Sequence, residues 1–329
     1  MVRNLWKYAV IAVLLALLLV LAPSPVSTYD AFAEIVELDV KGVGMPVDWD
    51  NYTSDTHYED PSLTVDIVWG GRIYDTNYVY ALVKIANGTQ IRTAMAGDQY
   101  SGTYAAQGAS VAKSKNAVFA INGDYFKHTD HQNGYMVRQG KLYRNRPDKI
   151  WDTLIIDQYG DFHAIREPSK AKIEAWQNEH PDLQVINSFN FGPVMIQDGQ
   201  VLTDRDYNES QLSVNSKNNN RYIGTYKEAQ RMAVCQLDKL TYLCVTSEGP
   251  EDKDSKGLTM DQFIECLQEI DEQLTDYTIQ VAYNLDGGSS CTMVFKDPEK
   301  NALKKINAPT NPKVRSLSDI LYFASAYQE

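Results

Sequence analysis

Short apolar runs separated by glycine- and asparagine-bearing breaks make up most of this chain. Leu63–Trp69, Val79–Ile85 and Gln90–Ala94 alternate apolar and polar positions with the period of two of half-buried strands. Asn87-Gly88, between the last two, reads as a hairpin turn. Four further pairs follow the same plan. Tyr135–Arg138 and Lys141–Tyr143 flank Gln139-Gly140; Thr153–Asp157 and Phe162–Ile165 flank Tyr159-Gly160-Asp161. Val194–Gln197 and Gln200–Leu202 flank Asp198-Gly199; Met232–Leu237 and Tyr242–Thr246 turn near Lys239-Leu240. Such a succession predicts antiparallel sheet. Ala117–Ile121 and Ile279–Tyr283 are more uniformly apolar, as buried strands are.

Helical spacing is rarer. Gln107–Ser114 and Ser169–Asn178, the latter stopped before Pro181, are helix segments. Thr259 is placed to cap a third, whose Met260, Phe263, Ile264, Leu267, Ile270 and Leu274 fall on one face. The pattern predicts an α+β fold, a largely antiparallel twisted sheet with a few packed helices, forming a single domain over residues 65–329. Residues 30–64, rich in Pro, Asp and Tyr with Glu34–Val40 as an early strand, read as a stalk. Ser213–Asn220 reads as a polar surface loop.

Residues 1–29 stand apart. Arg3 and Lys7 precede an unbroken apolar run from Tyr8 to Ala22, short for a spanning helix and matched to a signal-peptide core. A cleaved secretory signal and an uncleaved N-terminal membrane anchor both fit. Either places the remainder outside the cell, anchored at the extracellular face of the membrane or secreted.

With 43% hydrophobic residues the chain can bury a substantial core, and 31 basic against 43 acidic side chains, net −12, argue against a nucleic-acid partner. Four cysteines in an exported chain raise the question of disulfides. Cys235 and Cys244 would face each other if their strands pair in simple register; the preferred reading is four buried free thiols, with Cys266 on a helix and Cys291 past a glycine turn.

The chemistry gathers at two strand ends. Asn284-Leu285-Asp286-Gly287-Gly288-Ser289-Ser290 places an amide, a carboxylate, two glycines and two hydroxyls in succession. Asn122-Gly123-Asp124-Tyr125-Phe126 repeats the strand–Asn–Gly–Asp arrangement. Glycines admit close backbone approach, and clustered N–H, amide and hydroxyl groups suit a polyoxygenated or anionic ligand. The competing reading of Asp286-Gly287 is an ordinary hairpin turn.

These two elements, with Asn133-Gly134-Tyr135-Met136-Val137-Arg138-Gln139-Gly140-Lys141-Leu142, Phe191-Gly192-Pro193, Arg231 and the closing Arg315-Ser316-Leu317-Ser318-Asp319, resemble the phosphodiester glycosidase family over roughly residues 65–329. Gly249-Pro250 and the spread from Asn307 to Arg315 depart from the usual pattern of the family, which bears on substrate identity more than on reaction class. The resemblance implies an exported hydrolase that cleaves a sugar-1-phosphodiester in an extracellular glycan or cell-wall polymer and releases free sugar. The departing phosphate monoester has a second pKa of roughly 6, so it needs little proton donation. What remains is a base or nucleophile at the anomeric carbon, and cations or N–H donors on the phosphate.

On this basis Asp286 is the leading carboxylate, as base, nucleophile or hydroxyl clamp, with Asp124 second and Glu248 third. Arg231 and Arg315 are the phosphate-holding arginines, with Arg138 and Arg144 behind them. Asn122, Gly123, Asn284, Gly287, Gly288 and Ser289 offer amide, backbone and hydroxyl contacts, and Gly192 a wall. The separation of the two carboxylates would decide between retention and inversion. No cofactor is expected. His128, Asp130 and His131 make a weak zinc pattern, and a divalent cation such as calcium, held by clustered aspartates and carbonyls, stays open as the alternative though no EF-hand loop marks it. Two other readings stay open: a carbohydrate-binding envelope protein that stacks sugars on tyrosine, and a metal-dependent phosphodiesterase that cleaves the P–O bond.

Overall fold

The computed structural model describes residues 34–100, 104–124, 133–202, 225–250, 253–307 and 314–329. The apolar run Tyr8–Ala22, the His128–His131 segment and the Ser213–Asn220 loop lie outside the described residues. Among the described residues, no helix is long and apolar enough to cross a membrane.

The alternating runs become two antiparallel sheets packed face to face. The larger has eight strands in the order Gln200–Val201, Val194–Gln197, Val281–Asn284, Met232–Asp238, Thr241–Ser247, Thr76–Ile85, Leu63–Ile73 and His57–Asp60. The smaller has five: Leu303–Lys305, Met293–Lys296, Ala117–Asn122, Asp319–Ala324 and Ile91–Met95. Between them lies the main core, where Val79, Ala81, Val83, Val234, Cys244 and Tyr283 meet Phe119, Ile121, Met293, Phe295, Leu321 and Phe323. Burying each large apolar side chain contributes ~1.5–3 kcal/mol.

Helices cover the outer faces. Helix α1 (Gly108–Ser114) packs Val111 and Ala112 on the outer face of the small sheet. Helix α2 (Lys170–Glu179), capped by Ser169, packs Ile173 and Trp176 against Tyr135, Val137 and Ile155. Helix α3 (Met260–Gln273) packs Phe263, Ile264, Leu267 and Ile270 on the outer face of the large sheet. Thr259 and Gln262 form a reciprocal capping box at its start. The strand Met232–Asp238 is thus buried on both sides, with Val234 facing the small sheet and Ala233, Cys235 and Leu237 facing α3. This double burial explains its continuous apolar character. A third sheet sets Thr153–Asp157 between Phe162–Ile165 and Val185–Asn190.

Several expectations change. Asn87-Gly88 is not a hairpin turn: Asn87 caps a 3-10 turn over Gly88–Gln90, and the flanking strands belong to different sheets. A side-chain cap replaces the hairpin because Asn87 accepts the Thr89 N–H. Cys235 sits opposite Leu243, and Cys244 opposite Val234, so the two sulfurs face opposite sides of the sheet. All four cysteines are free and buried. Residues 35–64, read as most of the stalk, pack into the fold: Tyr52 hydroxyl donates to the Val118 carbonyl at 2.8 Å, and His57–Asp60 edges the large sheet.

Candidate active site

The two glycine-bearing loops lie side by side at one end of the paired sheets. The chain leaves the large sheet at Asn284 and enters the small sheet at Met293, so residues 285–292 are a crossover and not the tip of a hairpin. Asn122 ends the adjacent small-sheet strand and ties the loops together. Its Oδ1 accepts the Thr292 N–H at 3.0 Å, and its Nδ2 donates to the Asp286 carbonyl at 2.8 Å. The Asp286 N–H in turn donates to the Gly123 carbonyl at 3.3 Å.

The glycines are required by crowding. A Cβ on Gly123 would lie 2.3 Å from Asp319 Oδ2. A Cβ on Gly287 would lie 2.8 Å from the Gln230 carbonyl, which accepts the Gly288 N–H at 2.8 Å. Gly288 also holds φ at 60°, where a side chain is strained.

Beneath the loops is a buried charge triad that sequence reasoning did not assemble. Arg138 Nη2 donates to Asp124 Oδ1 and to Asp319 Oδ2, each at 2.8 Å. Its Nη1 donates to the Ser188 and Val137 carbonyls, and its guanidinium lies over the Phe189 ring at 4.6 Å. Asp124 Oδ2 accepts the Asn190 N–H at 2.8 Å. With both oxygens engaged and 1% exposure, Asp124 is a fixed support and not an open carboxylate. Arg138, 3% exposed, is equally removed from any phosphate. Burial pushes the Asp319 carboxyl upward, and the adjacent Arg138 charge pulls part of that back.

Asp286 differs from both: it keeps partial solvent contact. Desolvation raises its pKa to about 7; the Ser290 hydroxyl, the Arg315 charge and the Gly287 N–H lower it, while Asp319 raises it. Ser290 Oγ is buried beside this carboxyl without another hydrogen-bond partner among the described residues, and its hydroxyl is the nearby donor that favours the ionised Asp286. At the rim, Arg315 Nη1 donates to Ser289 Oγ at 2.9 Å. A guanidinium, a hydroxyl and a carboxyl that ionises near neutrality therefore share one mouth.

The remaining predicted residues fall around this centre. Asn284 donates from Nδ2 to the Gly192 carbonyl at 2.7 Å, and its buried Oδ1 has no partner among the described residues. Gly192 returns its N–H to the Asn284 carbonyl at 3.1 Å. Next to it Phe191 and Trp151 form a half-buried ring pair with centroids 5.7 Å apart, a surface of the kind sugars stack on. Glu248 is buried and accepts from Gln230 Nε2 at 2.8 Å. The Cys291 thiol, pushed up by burial and then by Asp286, also feels Glu248, which places that carboxyl on the same flank. Arg231 directs Nε to the Leu258 carbonyl at 3.0 Å and Nη2 to the Lys227 carbonyl at 2.7 Å, a structural tie between loops. Among the described residues, no group of three His, Cys, Asp or Glu side chains is arranged to hold a metal. A separate cavity of about 1090 Å³, lined by Arg92, Gln139, Lys141, Tyr159 and Lys239 among others, contains none of these clustered carboxylates.

Arg138 and Asp319 lie within the motif segments, yet nothing in their spacing signals burial. Trp151 and Phe191 are far apart in sequence, and only the fold pairs them.

A partly exposed carboxyl, a hydroxyl and a guanidinium thus meet at the end of an antiparallel two-sheet fold, an arrangement suited to a glycosidase-type hydrolase. The model of the phosphodiester glycosidase family matches residues 115–324, more than half of the chain, and the protein belongs to that family. Its fold is similar to the catalytic domain of zebrafish N-acetylglucosamine-1-phosphodiester alpha-N-acetylglucosaminidase auto-inhibited by its pro-peptide. The two share 17% identity over 89% of this chain and 98% of that one, with a TM-score of 0.56. A hypothetical protein from Synechocystis aligns at 13% identity over 79% of this chain and 62% of that one, with a TM-score of 0.47. No curated protein sequence matches.

Proposed function

We propose that this phosphodiester glycosidase hydrolyses sugar-1-phosphodiester links in an extracellular glycan or cell-wall polymer, and that Asp286 is its general base. The observation that carries this is the Asp286 carboxyl: partly open to solvent, poised at about 7, and flanked by the Arg315–Ser289 pair. In its ionised form Asp286 takes a proton from water as the water oxygen bonds to the anomeric carbon. The bond from that carbon to the phosphate oxygen breaks, its electron pair leaves with the phosphate monoester, and free sugar results. Arg315, Ser289 and the neighbouring backbone N–H groups meet the charge that builds on the departing phosphate. Trp151 with Phe191 carries a ring face, and the buried Asn284 braces the Gly192 wall beside them. The chemistry calls for no cofactor. The basic residues and apolar run of residues 1–29 support export, with the polymer outside the membrane as partner.

Product analysis tests this directly. The protein is incubated with α- and β-glycosyl-1-phosphodiesters beside Asp286→Ala. Free reducing sugar from the intact protein and a loss of ~10²–10⁴-fold in the variant is the expected result. Sugar phosphate as product would instead mean P–O cleavage and overturn the proposal.

A further inference from the structure

Proton transfer at Asp286 rests on the proposed reaction, but the machinery that sets it extends further into the fold. We propose that Asp319 is a positioning residue whose carboxylate, clamped under Gly123 by Arg138, raises the pH at which Asp286 becomes a base.

The geometry is a stack. The Asp286 N–H sits on the Gly123 carbonyl at 3.3 Å, the Gly123 N–H donates to the Asp319 carbonyl at 3.1 Å, and the Asp319 carboxylate fills the space a Gly123 side chain would need. Only a glycine residue thus separates the two aspartates. Asp319 cannot move away, because Arg138 Nη2 holds Oδ2 at 2.8 Å and Ser318 Oγ donates to Oδ1 at 3.2 Å. With one guanidinium between two carboxylates, the triad of Asp124, Arg138 and Asp319 retains a net negative charge when all three are ionised. Ionising Asp286 adds a second like charge to a desolvated region, which is disfavoured.

The other groups facing Asp286 act in known directions. Arg315, Ser290 and the Gly287 N–H favour its ionised form. Cys291, whose Sγ lies 3.9 Å from the Asp286 carbonyl, is held as a neutral thiol by burial. Glu248 reaches the same flank through Cys291. Asp319 is the carboxylate of this set locked into one place by a buried arginine, and its removal changes the charge with little change in shape.

The test is the pH profile of kcat/KM for Asp319→Asn, with Asp124→Asn as the companion that also loses a carboxylate from Arg138. In the wild type the acidic limb lies near the Asp286 pKa of about 7. In Asp319→Asn it should move to lower pH by about one unit, while Asp124→Asn moves it less. A merely structural role would lower activity at every pH and leave the limb in place, and that result overturns the proposal. The Asp286 carboxyl is also titrated by carbon-13 NMR in the wild-type protein and in any folded variant, independently of turnover. Ionisation near 7 that falls in Asp319→Asn supports the role of Asp319 even if no glycosidase activity is found. Should that variant not fold, Asp319→Ser is titrated in its place: a fall in the Asp286 ionisation relative to wild type supports the role of Asp319, and an unchanged ionisation refutes it.

Discussion

Replacing Asp286 by asparagine should make the protein more stable, and only above a certain pH. Asparagine keeps the shape of the side chain and removes the ionisation. The wild-type carboxyl moves from an ordinary 3.8 to about 7 on folding. Between those values the folded protein holds a proton that the unfolded chain has released. The contribution of the protonated carboxyl to stability is therefore complete below 3.8, shrinks across the window and is lost above about 7. The full difference corresponds to ~4 kcal/mol, and the solvent contact of Asp286 brings the expected value to ~2–4 kcal/mol. Urea unfolding of both proteins from about pH 4 to about pH 8 measures it, because the other titrating groups cancel in the difference. The stability of the variant relative to wild type should rise by that amount across the range. A difference flat to within ~0.5 kcal/mol would show that Asp286 ionises as an ordinary surface aspartate and would refute the burial argument.

Three further outcomes follow from the same geometry. Arg315→Ala should raise KM by ~5–30-fold for an anionic substrate with a smaller effect on kcat, and the loss should shrink at high salt; initial rates across a salt series read both. Gly123→Ala should destabilise by ~1–3 kcal/mol or prevent folding, because its Cβ would collide with the Asp319 carboxylate; denaturant midpoints report this. Arg138→Met should cost ~3–5 kcal/mol by leaving two buried carboxylates without their cation, and adding Asp124→Asn and Asp319→Asn should restore part of it.

The sheet character was legible because period-two alternation and glycine turns are local signals. The hairpins around Gln139-Gly140 and Asp198-Gly199 appear where expected, with both residues of each turn at positive φ. Sheet membership was not legible. Asn87-Gly88 and Asp286-Gly287 have the composition of hairpin turns but carry the chain from one sheet to another, and that choice depends on which faces must be buried. The site was half legible for a related reason. Asp286, Asn122 and Asn284 stand at strand ends whose sequence announces a loop. Arg138 occupies a position in a strand where alternation alone would allow solvent; its burial follows from the strand Val185–Asn190, whose Ser188 and Asn190 grip the same hairpin. Arg231 was read as a phosphate ligand because it stands beside the motif; what the sequence did not show is that the loops it joins take donors from it for their carbonyls.

The reacting end of the molecule is suspended from both sheets at once. Asp286 hangs from the large sheet and Asp319 opens a strand of the small one, so the gap between them is fixed by how thickly the interior is filled. Phe119 and Tyr283 are part of that filling, and the Tyr283 hydroxyl also accepts the Phe191 N–H at 2.7 Å. A methylene gained or lost there would act on turnover like a shim in a vice, changing the grip on the sugar from a place the sugar never reaches. Natural variation in rate or sugar preference within such a fold can therefore originate in residues that look like mere ballast.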